Sequence, residues 1–157
     1  MSGEIYLTRE GYEKLMKELE HLKTTKRHEI SKAIGVAREM GDISENAEYD
    51  AARDAQAHNE LRISEMEEQL SRARILDYEN IAKDEVLIGA TVKLEDMDTG
   101  EMLTYIFVSE LESDYTQNKI CIDSPLGKGL LGHKKGEVVE VQIPAGMLTY
   151  KILEISR

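Results

Sequence analysis

The chain has 157 residues, a net charge of −11 and 41 % apolar residues, which fits one large domain or two small ones with an apolar core. Both halves are acidic, so neither has the positive field of a free-standing nucleic-acid binder. Trp is absent and aromatic residues are scarce, which argues against a deep aromatic ligand pocket. The single cysteine, Cys121, excludes an internal disulfide and favours a reducing compartment. With no apolar signal region and no run of about 18 apolar residues, the sequence predicts a cytoplasmic protein.

The first predicted element is a helix from Thr8 to about Met40. Thr8 is a suitable N-cap, proline is absent, and apolar residues recur at steps of three and four. The stripe consists of Tyr12, Leu15, Leu19, Leu22, Ile30, Ile34 and Ala37, with Lys26 as an interruption. Gly41 is placed to end the helix, because Gly readily adopts a positive φ just after a helix C-terminus.

A second helix is predicted to extend to about Leu76, with Asp42 or Ser44 as its N-cap and Glu45 in or near its first turn. Its predicted apolar stripe is Ala47, Ala51, Ala55, His58, Leu61 or Arg62, Ile63, Met66, Leu70, Ala73 and Leu76. Two helices of similar length joined by a short turn predict an antiparallel coiled-coil hairpin. This domain is assigned to residues 1–78, with residues 41–50 as its acidic tip.

From residue 79 onward the apolar pattern changes from a helical period to alternation. Alternating segments occur at 90–94, 102–108, 119–122, 138–143 and 148–155, separated by turns that contain Gly or Pro. Ser124 followed by Pro125 predicts a short capped helix with Pro at its first position. Residues 79–157 are therefore predicted to form a compact antiparallel sheet of about five strands with one short helix, and the fold class is α+β.

Asp42 and Glu45 are the strongest candidates for chemistry. Mg²⁺ takes oxygen ligands and is usually held by one or two carboxylates together with substrate phosphates. Two carboxylates three residues apart can share one ion but cannot enclose it, so further ligands would come from outside the chain. The alternative is that both residues stabilise the start of the helix by capping and through the helix dipole. The two interpretations are compatible.

Two arginines and a tyrosine flank this acidic pair. Arg38 and Arg53 are suited either to contact phosphate or to pair with the neighbouring Glu39 and Asp54. Tyr49 is suited either to stack on a base or to cover the end of the hairpin. The residues alone leave both pairs of alternatives open.

Three segments resemble the bacterial Gre transcript-cleavage factors. Residues 37–53 resemble the tip signature of that family, and residues 118–132, which include Asp123, Ser124 and Pro125, resemble its second signature. The opening residues 7–15 also fit. The resemblance covers essentially the whole chain and departs mildly at Ile43, where the family more often has Leu.

The resemblance implies that the coiled coil enters the secondary channel of RNA polymerase. It also implies that an FKBP-like C-terminal domain docks on the β′ coiled coil through Asp123, Ser124 and Pro125. By resemblance, Asp42 and Glu45 are catalytic, metal-holding acids that help hold the second Mg²⁺ of the polymerase active site. Hydrolysis of backtracked RNA is thereby stimulated, and Arg38, Arg53 and Tyr49 lie near the RNA.

On this interpretation the protein is an accessory factor and not itself an enzyme. No cofactor is bound stably by the protein alone, and Mg²⁺ is shared only within the polymerase complex. RNA and DNA are met only in the elongation complex, no membrane is involved, and the protein is a monomer. The alternatives are a related regulator that enters the channel and inhibits without stimulating cleavage, a prolyl isomerase or chaperone, and a purely structural coiled coil.

Overall fold

The computed structural model describes residues 3–41, 46–79 and 81–157. The chain forms two compact units. The first consists mainly of Tyr12–Ala73, and the second combines Glu4–Gly11 with Arg74–Arg157. The segment 4–11 thus belongs with the C-terminal unit, although the boundary predicted after residue 78 assigns it to the helical domain. The described helices and strands form an α+β fold, as predicted.

The first unit is a long helical hairpin. Its first arm consists of α1 (Arg9–His21), a π-helical turn (Leu22–Lys26) and α2 (Arg27–Glu39). The residues that flank the π-helical turn keep right-handed helical dihedrals, so the arm is continuous. The second arm is α3 (Ala47–Ser71). The helical hairpin predicted from the apolar period is therefore confirmed.

Ion pairs across the hairpin define its antiparallel register. They join Lys23 to Glu67 at 3.6 Å, Arg27 to Glu60 at 2.8 Å, and Glu18 to Arg62 at 3.6 Å. The Arg27 pair is bidentate, because Nε and Nη2 donate to the two carboxylate oxygens of Glu60. All these side chains are largely exposed, and exposed pairs of this kind add little stability. Their contribution is therefore mainly to the register.

The seam between the arms is apolar on the first arm, as predicted. Leu19, Ile30, Ile34 and Ala37 are all buried. On the second arm the predicted stripe is partly wrong, because the structure buries a different set. The seam-facing residues of α3 that are buried or half-buried include Tyr49, Ala52, Gln56, Asn59, Ile63, Met66 and Leu70, whereas Ala47, Ala51, Ala55, His58 and Leu61 are exposed.

The error on the second arm has a physical reason. The buried set follows the heptad steps of three and four, but two of its positions hold polar residues, Gln56 and Asn59. The predicted stripe instead ran through alanines, because alanine is more apolar than Gln56 or Asn59. Asn59 is only 6 % exposed because its Nδ2 donates a hydrogen bond to Leu22 O at 3.0 Å. A satisfied polar residue therefore occupies a seam position that hydrophobicity alone does not identify.

The π-helical turn accounts for the spacing of the first arm. Ile30 follows Leu22 by one residue more than a heptad, and the wider π turn absorbs the additional residue. The partner of Asn59 is the carbonyl of Leu22, the first residue of this turn. The irregular turn of one arm is thus paired with the polar seam residue of the other.

A small sheet joins the segments on either side of the hairpin. Strand β1 (Ile5–Leu7) pairs with β2 (Ala73–Ile75), and Leu76 N donates to Leu7 O at 2.8 Å. Leu7 is fully buried. The second helix, predicted to extend to about Leu76, therefore ends at Ser71, because the residues that follow form a strand.

The second unit contains a five-stranded sheet in the order β5-β4-β3-β7-β6. Its strands are β3 (Thr91–Asp96), β4 (Met102–Val108), β5 (Lys119–Cys121), β6 (Val138–Ile143) and β7 (Gly146–Ser156). Most neighbours are antiparallel, but β4 and β5 are parallel, so the prediction of a wholly antiparallel sheet is wrong. Two 3₁₀ turns and Asn118, with a φ of 58°, return the chain in the same direction before β5.

The core of the second unit lies between the sheet and its short helix. The fully buried residues Val92, Leu94, Phe107 and Ile152 come from β3, β4 and β7. The predicted short helix is present as α4 (Pro125–Leu130), and its Leu130 is also fully buried in this core. Gly129 lies so close to Val141 of β6 that a Cβ would overlap its side chain. The helix therefore packs directly on the sheet.

Candidate functional site

The described structure brings the two ends of the predicted tip together. Helix α2 ends at Glu39, and Met40 is its C-cap. Gly41 follows with a φ of 129°, a backbone conformation that glycine adopts readily. The described chain resumes at Asn46, immediately before α3. The predicted metal ligands Asp42 and Glu45 lie between these ends and outside the described residues. Their role stays a prediction.

Asn46 is the N-cap of α3. Its Oδ1 accepts hydrogen bonds from Glu48 N at 3.1 Å and Tyr49 N at 3.2 Å. These amides belong to the first turn, whose N–H groups have no partner within a helix. The prediction of Asp42 or Ser44 as the cap is therefore wrong, because the helix begins at Ala47 and Asn46 occupies the cap position. Asn is among the residues most favoured there.

The other end of the Asn46 side chain reaches the first arm. Its Nδ2 donates to Ala37 O in the last turn of α2, and the same carbonyl accepts from Met40 N at 3.2 Å. Ala37 is 3 % exposed, so this carbonyl lies at the buried seam. One amide side chain therefore caps α3 and ties it to the end of α2. Sequence reasoning missed Asn46, although an Asn directly before Ala47-Glu48-Tyr49 is a recognisable cap signal.

Arg38 and Tyr49, predicted to lie near RNA, contact each other. The guanidinium carbon of Arg38 lies 5.9 Å from the centroid of the Tyr49 ring, within the range of a cation–π interaction. Tyr49 is half-buried and packs against the cluster of Ile30, Ile34 and Ala52. The ring therefore covers the end of the hairpin and also supports Arg38.

Arg53 is exposed on α3. Within the described ranges, neither Arg38 nor Arg53 forms an ion pair, so the pairing with Glu39 and Asp54 considered above is not found there. The Arg38 guanidinium is held by the Tyr49 ring, which leaves its hydrogen-bond donors available to a phosphate group.

The second predicted site lies where β5 leads into α4. Ser124 is the N-cap of α4: its Oγ accepts from Gly127 N at 3.0 Å and donates to Cys121 O at 2.6 Å. Pro125 occupies the first helical position. Both predictions about this helix start are confirmed. The Ser124 hydroxyl is thus committed to the loop itself, whereas Asp123 and Pro125 are exposed.

Gly127 fixes the shape of this loop. A Cβ at position 127 would overlap the carbonyl oxygen of Cys121 and would lie 2.8 Å from Ile122 Cα. Both neighbours are backbone atoms and cannot rotate away. The helix start therefore lies directly against the end of β5, and it presents Asp123 and Pro125 to solvent on a rigid turn.

Two further findings concern the described part of the chain as a whole. No group of three or more His, Cys, Asp or Glu side chains in it is arranged to hold a metal ion. None of its helices combines the length and apolar character needed to cross a membrane.

Two family models together match nearly the whole chain. The family described as "Transcription elongation factor, N-terminal" matches residues 5–75, and the family described as "Transcription elongation factor, GreA/GreB, C-term" matches residues 81–157. The boundary between the two matches falls close to Arg74, where the longer segment of the second unit begins.

Individual proteins are similar over the same length. Transcription elongation factor GreA of Caldanaerobacter subterraneus subsp. tengcongensis is 49 % identical over 157 residues, which is 100 % of both chains. The GreA protein of Christiangramia forsetii is 45 % identical and covers 100 % of this chain and 99 % of its own. The solved structure of GreA factor homolog 1 from Thermus thermophilus is 35 % identical, covers 98 % of this chain and 99 % of that chain, and has a TM-score of 0.44. From the family matches in both halves and the full-length identity to GreA proteins, the conclusion is that this chain belongs to the GreA/GreB family of transcription elongation factors.

Proposed function

We propose that the protein binds bacterial RNA polymerase, inserts its helical hairpin into the secondary channel and stimulates the polymerase's intrinsic cleavage of backtracked RNA. Arrested elongation complexes would thereby resume synthesis. The protein is an accessory factor in this proposal, and the bond is cleaved by the polymerase. Membership of the GreA/GreB family supports the role in elongation.

The observation that carries the proposal is the N-cap of α3. From the sequence alone, capping is the ordinary explanation for Asp42 and Glu45. Asn46 supplies the cap with its own Oδ1, so capping no longer accounts for the two carboxylates. A second explanation, ligation of a cation brought by a partner, gains weight accordingly.

The chemistry of this donor pair fits magnesium. Carboxylate oxygens are the usual protein ligands of Mg²⁺, and one or two of them suffice when phosphate oxygens and water complete the shell. When bound in a phosphoryl-cleavage site, such an ion supplies water activation and stabilises the developing negative charge. Asp42 and Glu45 would bind part of its shell and raise its occupancy. The polymerase and the RNA would provide the remaining ligands.

The hairpin has dimensions suited to delivering these carboxylates. Helix α3 has 25 residues, which at about 1.5 Å per residue is about 37 Å long. Near its start, Ala47, Ala51 and Ala55 are exposed and face outward. Small side chains on the outer surface make this end of the hairpin narrow, which favours entry into a channel.

For the second unit we propose an FKBP-like domain that docks on the β′ coiled coil through the loop at Asp123 and Pro125. A prolyl isomerase would need an aromatic pocket for proline. The single phenylalanine, Phe107, is fully buried in the sheet core and takes up no such position. Docking therefore fits this domain better than isomerase activity.

The test is a transcript-cleavage assay on stalled, backtracked polymerase with Asp42→Asn and Glu45→Gln. Each substitution removes a carboxylate but keeps its shape, and we expect cleavage to fall at least about tenfold while polymerase binding is retained. Glu48→Gln and Asp50→Asn are the matched controls. Both residues are exposed in the first turn of α3, so their variants change the local charge equally and should cleave at the parent rate.

Three outcomes would contradict the proposal. Parent-level cleavage by both tip variants would remove the metal-holding role. Tight binding with no stimulation by the parent protein would instead favour a regulator that enters the channel and inhibits. Cleavage of free RNA by the protein alone would show that it is itself an enzyme.

A further inference from the structure

The side chain of Asn46 makes contacts with both arms of the hairpin. Through Oδ1 it accepts from the first-turn amides of Glu48 and Tyr49, and through Nδ2 it donates to Ala37 O. Its backbone carbonyl also accepts from Asp50 N at 3.1 Å. Asn46 is half-buried, and the Ala37 carbonyl belongs to a residue almost fully removed from solvent.

We propose that Asn46 is a positioning residue for the cleavage reaction: it clamps together the two helix ends between which Asp42 and Glu45 lie in the sequence. The inference rests on the proposed function, because it assigns Asn46 a part in placing the tip carboxylates. It does not make Asn46 a ligand of the ion.

Capping alone does not require this residue. Asp, Ser and Asn are about equally good N-caps, because all three offer an oxygen acceptor to the first-turn amides. Asp has no donor and Ser has only the hydroxyl that also serves as the cap, whereas Asn has a separate amide donor at the far side of its longer side chain. That amide is used on the opposite arm. The choice of Asn therefore follows from the link to Ala37 and not from the cap.

The hydrogen bond from Asn46 to Ala37 matters because the proposed metal site is incomplete within this chain. Two carboxylates of a shared ion shell must match ligands on another molecule, and an error of about 1 Å in such a placement costs about a hundredfold in rate. The Asn46–Ala37 hydrogen bond fixes the separation of the flanking helix ends next to the acidic pair. The contact between Arg38 and Tyr49 joins the same two helix ends, one residue after Ala37 and three residues after Asn46.

The experiment compares Asn46→Ser and Asn46→Asp with the parent protein in the transcript-cleavage assay. Both variants keep a capping oxygen and lose the Nδ2 amide that donates to Ala37 O. We expect cleavage at saturating factor to fall at least about tenfold. The Mg²⁺ concentration for half-maximal cleavage should rise, whereas polymerase affinity should stay within experimental error. The thermal midpoint of the hairpin should fall less than in the Asn59 control below, because Ala37 O keeps its hydrogen bond from Met40 N.

Asn59→Ser is the matched control. Asn59 also donates across the hairpin, to Leu22 O at 3.0 Å, but it lies well away from the tip in sequence. This substitution should lower the thermal midpoint and leave the Mg²⁺ dependence of cleavage unchanged. If the role of Asn46 were merely structural, Asn46→Ser would behave like Asn59→Ser, with a lower thermal midpoint and an unchanged Mg²⁺ dependence of cleavage.

A second measurement separates the inference from the proposed function. In an Asp42→Asn/Glu45→Gln background, Asn46→Ser should cause no further loss, because a positioning residue acts only through the groups that it positions. Parent-level cleavage by either Asn46 variant, or a fully additive loss in that background, would overturn the inference alone. If the Asp42 and Glu45 variants themselves cleave like the parent, the proposed function fails and the inference falls with it.

Discussion

The carboxylate of Glu112 accepts two hydrogen bonds from Thr8, one from the backbone amide at 2.9 Å and one from the hydroxyl at 2.6 Å. Thr8 Oγ1 in turn accepts from Gly11 N at 3.0 Å, so Thr8 caps α1 as predicted and is itself held in place. The carboxylate lies so close that a Cβ at position 11 would overlap Glu112 Oε1. Gly11 thus leaves room for the Glu112 carboxylate in the position where it binds Thr8.

We therefore expect Gly11→Ala to destabilise the protein. The new methyl group displaces the Glu112 carboxylate, and hydrogen bonds to a charged group contribute about 1.5–3 kcal/mol. Ala is favoured over Gly within a helix by about 1 kcal/mol, which offsets part of this loss. A net decrease of about 0.5–2 kcal/mol in the free energy of unfolding should appear in urea denaturation followed by circular dichroism.

The control reverses the sign of this effect. In a Glu112→Ala background no carboxylate opposes the methyl group, so Gly11→Ala should stabilise the protein by about 1 kcal/mol through helix propensity. Continued destabilisation in that background would show that Glu112 is not the reason for the glycine.

Substitutions of Tyr49 distinguish a ring that supports Arg38 from a ring that stacks on an RNA base. If the ring acts by supporting Arg38, Tyr49→Phe should cleave at the parent rate, because the π face is retained. Tyr49→Leu should lower cleavage about two- to fivefold, the equivalent of an exposed cation–π contact of about 0.5–1 kcal/mol. The measurement is single-turnover cleavage at saturating factor.

An Arg38→Gln background distinguishes support from base stacking. If Tyr49 acts only through Arg38, then Tyr49→Leu has no further effect there. A ring that stacks on an RNA base would still contribute, so a second, independent loss of cleavage would favour stacking.

The docking loop offers a prediction about binding. Asp123 is exposed on a turn made rigid by Ser124 and Gly127, and reversal of its charge should weaken polymerase binding. For Asp123→Lys we expect at least about a tenfold rise in Kd, because a mispaired interfacial charge costs several kcal/mol. Fluorescence titration of labelled protein with polymerase measures the change.

Asp98→Lys is the control for charge. Asp98 is an exposed aspartate in the turn between β3 and β4, so this variant has the same net charge as Asp123→Lys. It should bind like the parent. Equal affinities for all three proteins, with the second unit folded, would remove the Asp123 loop from the interface.

The first arm was predictable because its seam is apolar. Leu19, Ile30, Ile34 and Ala37 are spaced at the helical period, and all four are buried. The second arm was not, because Gln56 and Asn59 occupy seam positions that only contacts across the hairpin make favourable. Local hydrophobicity does not contain that information.

Similar limits apply to the candidate site. The cap at Ser124 and the proline that follows it were predictable from local chemistry. The parallel pairing of β5 was not, because it depends on two irregular turns and a left-handed Asn118. The role proposed for Asp42 and Glu45 rests on family resemblance, since two carboxylates alone fit capping as well as ligation. The link from Asn46 to Ala37 joins helix ends that only the folded hairpin brings together.

The turn that presents Asp123 also covers part of the edge of the sheet. Strand β5 is an outer strand, and exposed outer strands are templates for addition of a strand from another molecule. At one end its Lys119 already exchanges two backbone hydrogen bonds with Asp114, and at the other end Cys121 O is taken by Ser124. Only Ile120 lies between them. The loop proposed to bind polymerase therefore also covers one end of this edge strand.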